Sequence, residues 1–131
     1  DLLGTTSLQP VILIGVGNLG SALLLYRGFE QEGFEIVAAF DADVSKKRDK
    51  TNVPIYPMDK IEEIVRKHNV RMAMITVPAA AAQEVTNRLV DSGISGILNF
   101  APIVLHVPDD VMVNNVNLAI ELENLSYFIQ Q

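Results

Sequence analysis

Three glycines, Gly15, Gly17 and Gly20, stand in the segment GVGNLG directly after an apolar run. Glycines at this spacing permit a tight turn after a strand, let the backbone approach a pyrophosphate, and allow a helix to pack closely on that strand. The helix N-terminus that follows offers N–H groups to phosphate oxygens. The pattern therefore predicts a dinucleotide site. A turn that binds nothing, or a site for another nucleotide carrier such as coenzyme A, has the same spacing.

An acidic residue, Asp41, stands 21 residues after Gly20, at the predicted end of the second strand. A carboxylate there accepts hydrogen bonds from the hydroxyls of the adenosine ribose and repels a 2′-phosphate, which favours NAD(H) over NADP(H). Lys46, Lys47 and Arg48 follow closely and could neutralise such a phosphate. Because the carboxylate stands at the position that reads the ribose, we predict NAD(H).

Side chains able to move a proton near a bound cofactor are scarce. His68 and Tyr26 lie on the apolar stripes of predicted helices, so packing is their expected role, and His106 is expected at the surface of a loop. The sequence has no Ser–His–Asp or metal-ligand spacing and no cysteine. We predict no catalytic residue and no metal, and hence a binding protein that is not an enzyme.

Two later segments end predicted strands, where parallel sheets bind their ligands. They are TVP at 76–78 and NFAP at 99–102. Both combine apolar surface with a few polar groups, as a nicotinamide pocket would, although simple loops have the same composition.

The elements that must position these residues alternate between strand and helix. This alternation predicts a Rossmann-like α/β fold with a doubly wound, mostly parallel sheet in the strand order 3-2-1-4-5. The predicted strands cover 10–16, 34–40, 53–55, 70–77, 94–100 and 111–116, and the predicted helices cover 18–29, a segment capped by Asp59, 79–92 and 117–130. The first helix is expected to bury Leu19, Ala22, Leu23 and Tyr26 and to leave Leu24 on its opposite side.

The composition indicates one globular domain, with 131 residues of which 49% are hydrophobic and 20% charged. The net charge of −6 opposes the phosphate neutralisation that supplies much of DNA affinity, so this chain should not grip DNA by itself. No apolar run approaches the roughly 20 residues of a membrane span, and no signal-peptide pattern occurs. The absence of cysteine fits a reducing cytoplasm, which is the location we predict. Because the chain begins at Asp1 without methionine, we expect a preceding part.

The last predicted helix is apolar on two sides. One stripe consists of Leu118, Leu122, Leu125 and Ile129, and the opposite side carries Ile120 and Tyr127. Such a helix needs two partners, which predicts a dimer in which it packs on, or swaps into, the other subunit. The alternative is another domain of the same chain that covers these faces.

Five segments together resemble the Rex-type redox-sensing transcriptional repressors. They are GVGNLGSALLLY at 15–26, FDAD at 40–43, TVPAAAAQ at 76–83, GISGILNFAP at 93–102 and NVNLAIELENLSYF at 115–128. The resemblance implies a linker at 1–8 from a missing N-terminal winged-helix domain, an NAD(H)-binding Rossmann domain at 9–116, and a dimerisation helix at 117–131 that is exchanged across a homodimer. It also implies that NADH closes the dimer and releases it from operator DNA, whereas NAD+ or no ligand permits repression.

The resemblance assigns site residues as well. It gives the pyrophosphate to Gly15, Gly17, Asn18, Leu19 and Gly20, the ribose to Asp41, and the nicotinamide side to Val77, Pro78, Asn99, Phe100, Ala101, Pro102 and Leu118. It gives switch and dimer contacts to Tyr26, Asn117, Leu122, Leu125, Tyr127 and Phe128. Many members have Asp where this chain has Asn117, and that Asp contacts the tyrosine or a winged-helix arginine. Loss of its charge predicts a weaker or differently wired NADH response.

The alternative function is a nucleotide-binding fragment of an NAD-dependent dehydrogenase, or a coenzyme A-binding subunit. A dehydrogenase would continue beyond this domain with catalytic residues, whereas a sensor would be preceded by a basic helix-turn-helix domain.

Overall fold

Six parallel strands form the central sheet in the computed structural model, which describes residues 8–46 and 51–129. They are β1 (Gln9–Ile14), β2 (Phe34–Phe40), β3 (Ile55–Tyr56), β4 (Met72–Ile75), β5 (Gly96–Asn99) and β6 (Met112–Asn115). The order across the sheet is β3-β2-β1-β4-β5-β6, and every neighbouring pair is parallel. The predicted doubly wound fold is thus confirmed, with β1 and β4 adjacent at the switch point where such sheets bind ligands. Residues 1–7 of the predicted linker, and Lys47 and Arg48, lie outside the described residues.

The helices of the described residues are α1 (Asn18–Leu25), α2 (Gly28–Gln31), α3 (Ile61–His68), α4 (Ala79–Asp91) and α5 (Leu118–Ile129). The prediction of one helix over 18–29 is wrong, because the chain leaves the helix at Tyr26, with φ −76° and ψ 122°. The Tyr26 ring then lies over Gly28, where a Cβ would collide with the phenol. A residue without a side chain therefore allows the ring to fold back at this break.

The helices α3 and α4 cover one face of the sheet. The apolar side chains buried between these helices and the strands include Ile12, Ile14, Ile61, Ile64, Val65, Ile75, Val85, Leu89 and Ile97. Because side chains alternate between the two faces of a strand, this layer accounts for every second residue of the apolar runs in the sequence.

Two predictions about α3 are wrong. Asp59 does not cap the helix, because a 3-10 turn at Met58–Lys60 comes first and Lys60 is the N-cap residue. His68 is exposed and does not lie in the buried stripe. The helix ends directly after it, where Asn69 adopts a left-handed conformation with φ 54° and Val70, 1% exposed, enters the core.

The opposite face is covered at one end by α1, in an orientation that differs from the prediction. Leu24 is buried, whereas Leu19, Ala22 and Tyr26, which were expected in the core, are exposed. The cause is the contact of Gly20 with the glycine turn. This contact fixes the rotation of α1, and Leu24, one turn later, lies on the same side of the helix as Gly20.

The remainder of this face is left open by the described residues. A cavity of about 540 Å³ lies over it, lined largely by apolar side chains that include Val11, Met72, Met74, Leu98 and Met112. The connection from β5 to β6, residues 100–111, contains no helix that could cover these strands. The side chains described in α5, at 122 and 125–129, are all exposed. Every helix of the described residues is too short or too polar to cross a bilayer.

Candidate dinucleotide site

The glycine turn is held between the ends of two neighbouring strands. Gly15 has φ +102°, and its N–H donates to the carbonyl oxygen of Phe40 at 2.8 Å. The hydroxyl of Thr76 donates to the carbonyl oxygen of Gly15, also at 2.8 Å. A Cβ at Gly15 would lie 2.8 Å from that hydroxyl oxygen, so both the conformation and the space require glycine. The turn is therefore fixed to β2 and β4 before any ligand arrives.

The other two glycines of the turn have different roles. A Cβ at Gly20 would collide with the carbonyl oxygen of Gly15, so Gly20 allows α1 to approach β1. Around the Cβ position of Gly17, in contrast, the described residues leave the space within 4 Å empty. The protein itself thus requires glycine at 20 but not at 17, and the open space at Gly17 is a cradle that a Cβ would fill.

The helix dipole and the first amides of α1 point to this cradle. Gly17 is the N-cap residue and supplies no side-chain cap. The amides of the first turn of a helix have no intrahelical acceptor, so those of Asn18 and Leu19 can bind an anion. Both residues are exposed. The arrangement fits a pyrophosphate, with hydrogen bonds from backbone amides and no steric obstacle at Gly17.

Asp41 lies at the end of β2, beside the same turn. Its side chain is largely buried, with an exposure of 9%. Oδ2 accepts a hydrogen bond from the N–H of Val16 at 2.7 Å, and Oδ1 accepts one from the N–H of Asp43 at 2.8 Å. A carboxylate can accept about four hydrogen bonds, which is enough for these amides and for ribose hydroxyls together. Asp41 thus has the chemistry to bind a ribose while it holds the glycine turn in place.

The residues assigned to the nicotinamide side follow β4 and β5. Val77 and Phe100 are half-buried, Pro78 and Pro102 are exposed, and Ala101 is buried. All five are apolar, so the surface at these strand ends favours an uncharged ring over a charged one.

Asn99 belongs to this group but is fully buried, with its amide turned to the protein. Its Oδ1 accepts a hydrogen bond from the N–H of Ala101 at 2.9 Å, and its Nδ2 donates to the carbonyl oxygens of Ala101 and Ile103 at 3.2 and 3.1 Å. In this geometry Asn99 shapes the loop after β5 from beneath.

The same loop is held from α4 by Gln83. Its Nε2 donates to the carbonyl oxygen of His106 at 2.9 Å, and its Oε1 accepts from the N–H of His106 at 2.8 Å. The sequence reasoning missed Gln83 and also Thr76 as supporting residues. A hydroxyl directly after β4 was a signal for Thr76, whereas nothing in the sequence pairs residues 83 and 106.

The residues assigned to switch and dimer contacts belong to two regions, the end of α1 and the segment that includes α5. Tyr26 is 60% exposed and packs edge-to-face on Phe29, with the ring centroids 4.8 Å apart. Asn117 is exposed directly before α5. Leu122, Leu125, Tyr127 and Phe128 are exposed on α5, while the side chain of Leu118 lies outside those described. Within the described ranges, no three acidic or histidine side chains are grouped as metal ligands would be.

A parallel sheet in this order, with a glycine turn at its switch point and a carboxylate after β2, defines a nucleotide-binding domain of the Rossmann type. Residues 6–103 match the family described as CoA binding domain.

The relatives narrow this class further. The chain is 50% identical over 131 residues to the redox-sensing transcriptional repressor Rex of Carboxydothermus hydrogenoformans, covering 99% of this chain and 63% of that protein. It is 45% identical over 133 residues to the Rex of Streptococcus suis, covering 100% of this chain and 75% of that protein. The chain belongs to the Rex family of redox-sensing repressors.

Solved structures of one Rex-family repressor, RSP, agree with this assignment. RSP in complex with NADH superimposes with a TM-score of 0.86 at 35% identity, over 94% of this chain and 60% of that one. RSP in complex with NAD+ and operator DNA gives 0.85 at 34%, over 98% and 59%. The chain thus spans about three fifths of the length of the Carboxydothermus hydrogenoformans repressor and about three fifths of the length of RSP.

Proposed function

We propose that this chain is the NAD(H)-binding regulatory part of a dimeric transcriptional repressor that senses the NADH/NAD+ ratio. The observation that carries the proposal is the open cradle at Gly17, beside the carboxylate of Asp41, in a chain of the Rex family. Two structures of RSP support it, since one holds NADH and the other holds NAD+ and operator DNA.

In the proposed complex the pyrophosphate lies over Gly17 and accepts hydrogen bonds from the amides of Asn18 and Leu19. Asp41 binds the adenosine ribose and disfavours a phosphate on it. The bound cofactor supplies the redox signal, because its nicotinamide ring is positively charged when oxidised and neutral when reduced. The apolar strand ends at Val77 and Phe100 then favour the neutral ring, so we expect NADH to bind more tightly than NAD+.

The dimer is proposed from two apolar surfaces that the described residues leave uncovered. One is the cavity of about 540 Å³ over β1, β4, β5 and β6. The other is α5, whose described side chains are exposed although Leu122, Leu125 and Phe128 are strongly apolar. A helix of 12 residues is about 18 Å long, enough to cross three or four strands of a sheet. We infer that α5 of a second copy covers the open face.

Release from DNA follows from a shift between two dimer arrangements. A ligand that binds one arrangement better moves the population towards it by the difference in affinity. We propose that NADH favours an arrangement that does not fit the operator, and that a winged-helix domain outside this chain makes the DNA contacts. A repressor of this kind works in the cytoplasm, where the chromosome is accessible.

The same residues argue against turnover of the cofactor. The side chains assigned to the nicotinamide side are apolar, apart from Asn99, whose amide is occupied by the loop. Hydride transfer to a substrate needs a neighbouring acid or base, and none of these residues supplies one. We therefore propose a sensor and not an enzyme.

A second candidate ligand, coenzyme A, is favoured by the family match over residues 6–103. Its pyrophosphate could use the same glycine turn. Its ribose carries a 3′-phosphate, however, and the Asp41 carboxylate would repel that group. The structure of the ribose site therefore favours NAD(H).

Calorimetry with NADH, NAD+, NADPH and coenzyme A tests the proposal. We expect NADH to bind most tightly, NAD+ more weakly, and the two ligands with a phosphorylated ribose most weakly. In a separate incubation of the protein with a fixed amount of NADH, the absorbance of the reduced nicotinamide should stay constant over time. Preferential binding of coenzyme A, or consumption of NADH, would contradict the sensor.

A further inference from the structure

The strongest unexplained feature is the connection that Asn99 makes between two functional segments. Asn99, 0% exposed, ends β5, and its side chain bonds the loop that carries Ala101 and Ile103. Oδ1 of Asn115 is a third acceptor of the same Nδ2, at 3.0 Å, so the two N–H groups of this amide are shared among three oxygens. One buried amide is thus shared between the loop after β5, which carries Ala101 and Ile103, and the neighbouring strand β6.

Asn115 is the last residue of β6, and α5 begins three residues later. The backbone continues the connection, because the N–H of Val116 donates to the carbonyl oxygen of Asn99 at 2.8 Å. The remaining chain before α5 is only Val116 and Asn117. Asn99 therefore holds both the loop at the cofactor site and the segment that sets the start of α5.

Buried polar groups must keep their hydrogen bonds, since an unpaired buried amide costs far more than a distorted exposed one. If a ring that binds against Phe100 and Ala101 moves their loop, Asn99 must follow the Ala101 and Ile103 backbone. Asn115 accepts from the same amide group, so it is drawn in the same direction. The movement of the loop is thereby transmitted to the segment directly before α5.

We propose that the Asn99–Asn115 pair is a positioning device that couples the state of the nicotinamide pocket to the orientation of α5. The inference rests on the proposed function, since it needs NAD(H) in the pocket and α5 in a dimer. Asn115 is a positioning residue: it is exposed on β6, outside the set that binds the cofactor, and acts through Asn99.

Hydrogen–deuterium exchange of α5 tests this coupling in the 131-residue chain itself. The exchange of residues 118–129 is measured with saturating NADH and with saturating NAD+, first in the wild-type protein and then in Asn115→Ala. The quantity compared is the difference in protection between the two cofactors. We expect the NADH–NAD+ difference in protection to fall at least about threefold in Asn115→Ala, the size of one lost neutral hydrogen bond. The Kd for NADH should change by no more than about threefold, because Asn115 does not contact the cofactor and only the lost coupling acts back on binding.

Two further variants separate coupling from a general loss of structure. Asn115→Asp keeps an oxygen that accepts from Asn99 Nδ2, so it should retain the difference in protection. Asn52→Ala makes the same truncation at an exposed residue before β3 and should behave as wild type. A merely structural role of Asn115 would change the protection of α5 equally with NADH and NAD+.

Failure of the proposed coupling and failure of the proposed function give different results. If wild type binds NADH but α5 exchanges equally with both cofactors, or if Asn115→Ala keeps the wild-type difference, the coupling is refuted and the sensor remains. If Asn115→Ala and Asn115→Asp lose the NADH–NAD+ difference in protection equally, the coupling is also refuted, because the acceptor oxygen retained in Asn115→Asp would then have no effect. Absence of any NADH binding to wild type would instead overturn the proposed function.

Discussion

Gly17 offers a substitution that should separate ligand binding from folding. Its backbone, with φ −85° and ψ −152°, is on the negative-φ side that alanine tolerates, and its Cβ would meet no described atom within 4 Å. Gly17→Ala should therefore leave the free energy of unfolding unchanged or raise it by up to about 1 kcal/mol, because alanine restricts the unfolded chain.

The effect on the cofactor should be large. The new methyl group fills the space in which the pyrophosphate approaches the amides of α1. Loss of one hydrogen bond from an amide to a charged phosphate costs about 1.5–3 kcal/mol, which corresponds to a roughly 10- to 100-fold increase in the Kd for NADH.

The assay combines urea denaturation of the free protein with calorimetric titration of NADH. Gly96→Ala is the matched control, because its Cβ would find Met72 Cγ at an ordinary 3.5 Å at the opposite end of the sheet. Gly20→Ala is the opposite control, since its Cβ collides with Gly15 and should destabilise the fold itself. A Gly17→Ala protein that is folded and binds NADH as wild type does would refute the cradle.

Three further outcomes follow from the same geometry. Asp41→Ala leaves the buried N–H of Val16 without its acceptor, so the free energy of unfolding of the ligand-free protein should fall by about 1–3 kcal/mol and its melting temperature by roughly 4–11 °C. The preference for NADH over NADPH should also become smaller, and an unchanged melting temperature would contradict a role in holding the turn. Leu125→Glu places a charge on the proposed dimer surface. It should give a monomer by analytical ultracentrifugation at the high micromolar concentration at which we expect the wild type to be a dimer. Asn117→Asp, measured in the full-length protein, should shift the NADH midpoint of operator release towards a stronger response, and an identical midpoint would rule out a role of this charge.

The turn at Gly15 and the carboxylate at Asp41 could be predicted from the sequence because both belong to a local pattern of strand, turn and helix. The orientation of α1 could not, because it is set by the contact of Gly20 with the Gly15 carbonyl across the turn. Helical periodicity identified an apolar stripe but not which of two competing stripes faces the sheet. Tyr26 and Leu24 consequently exchanged their expected environments.

The supporting hydrogen bonds were also beyond the sequence. Val16 and Asp41 are 25 residues apart, and Asn99 and Asn115 are 16 apart. An asparagine after a strand reads equally well as a ligand contact or as a loop residue, and only the surrounding backbone decides. Asp41 illustrates the intermediate case, since its position at the end of the second strand was predictable and its bond to the glycine turn was not.

The open face over β1, β4, β5 and β6 has a thermodynamic consequence. When a second molecule supplies the cover for a sheet, folding and association share the same free energy, and stability becomes a function of protein concentration. The melting temperature of this chain should rise steadily as its concentration increases, in contrast to a protein that buries its own core. At low copy number the apolar face would be more often open to solvent. For such a protein, the amount made is itself a determinant of how much remains folded.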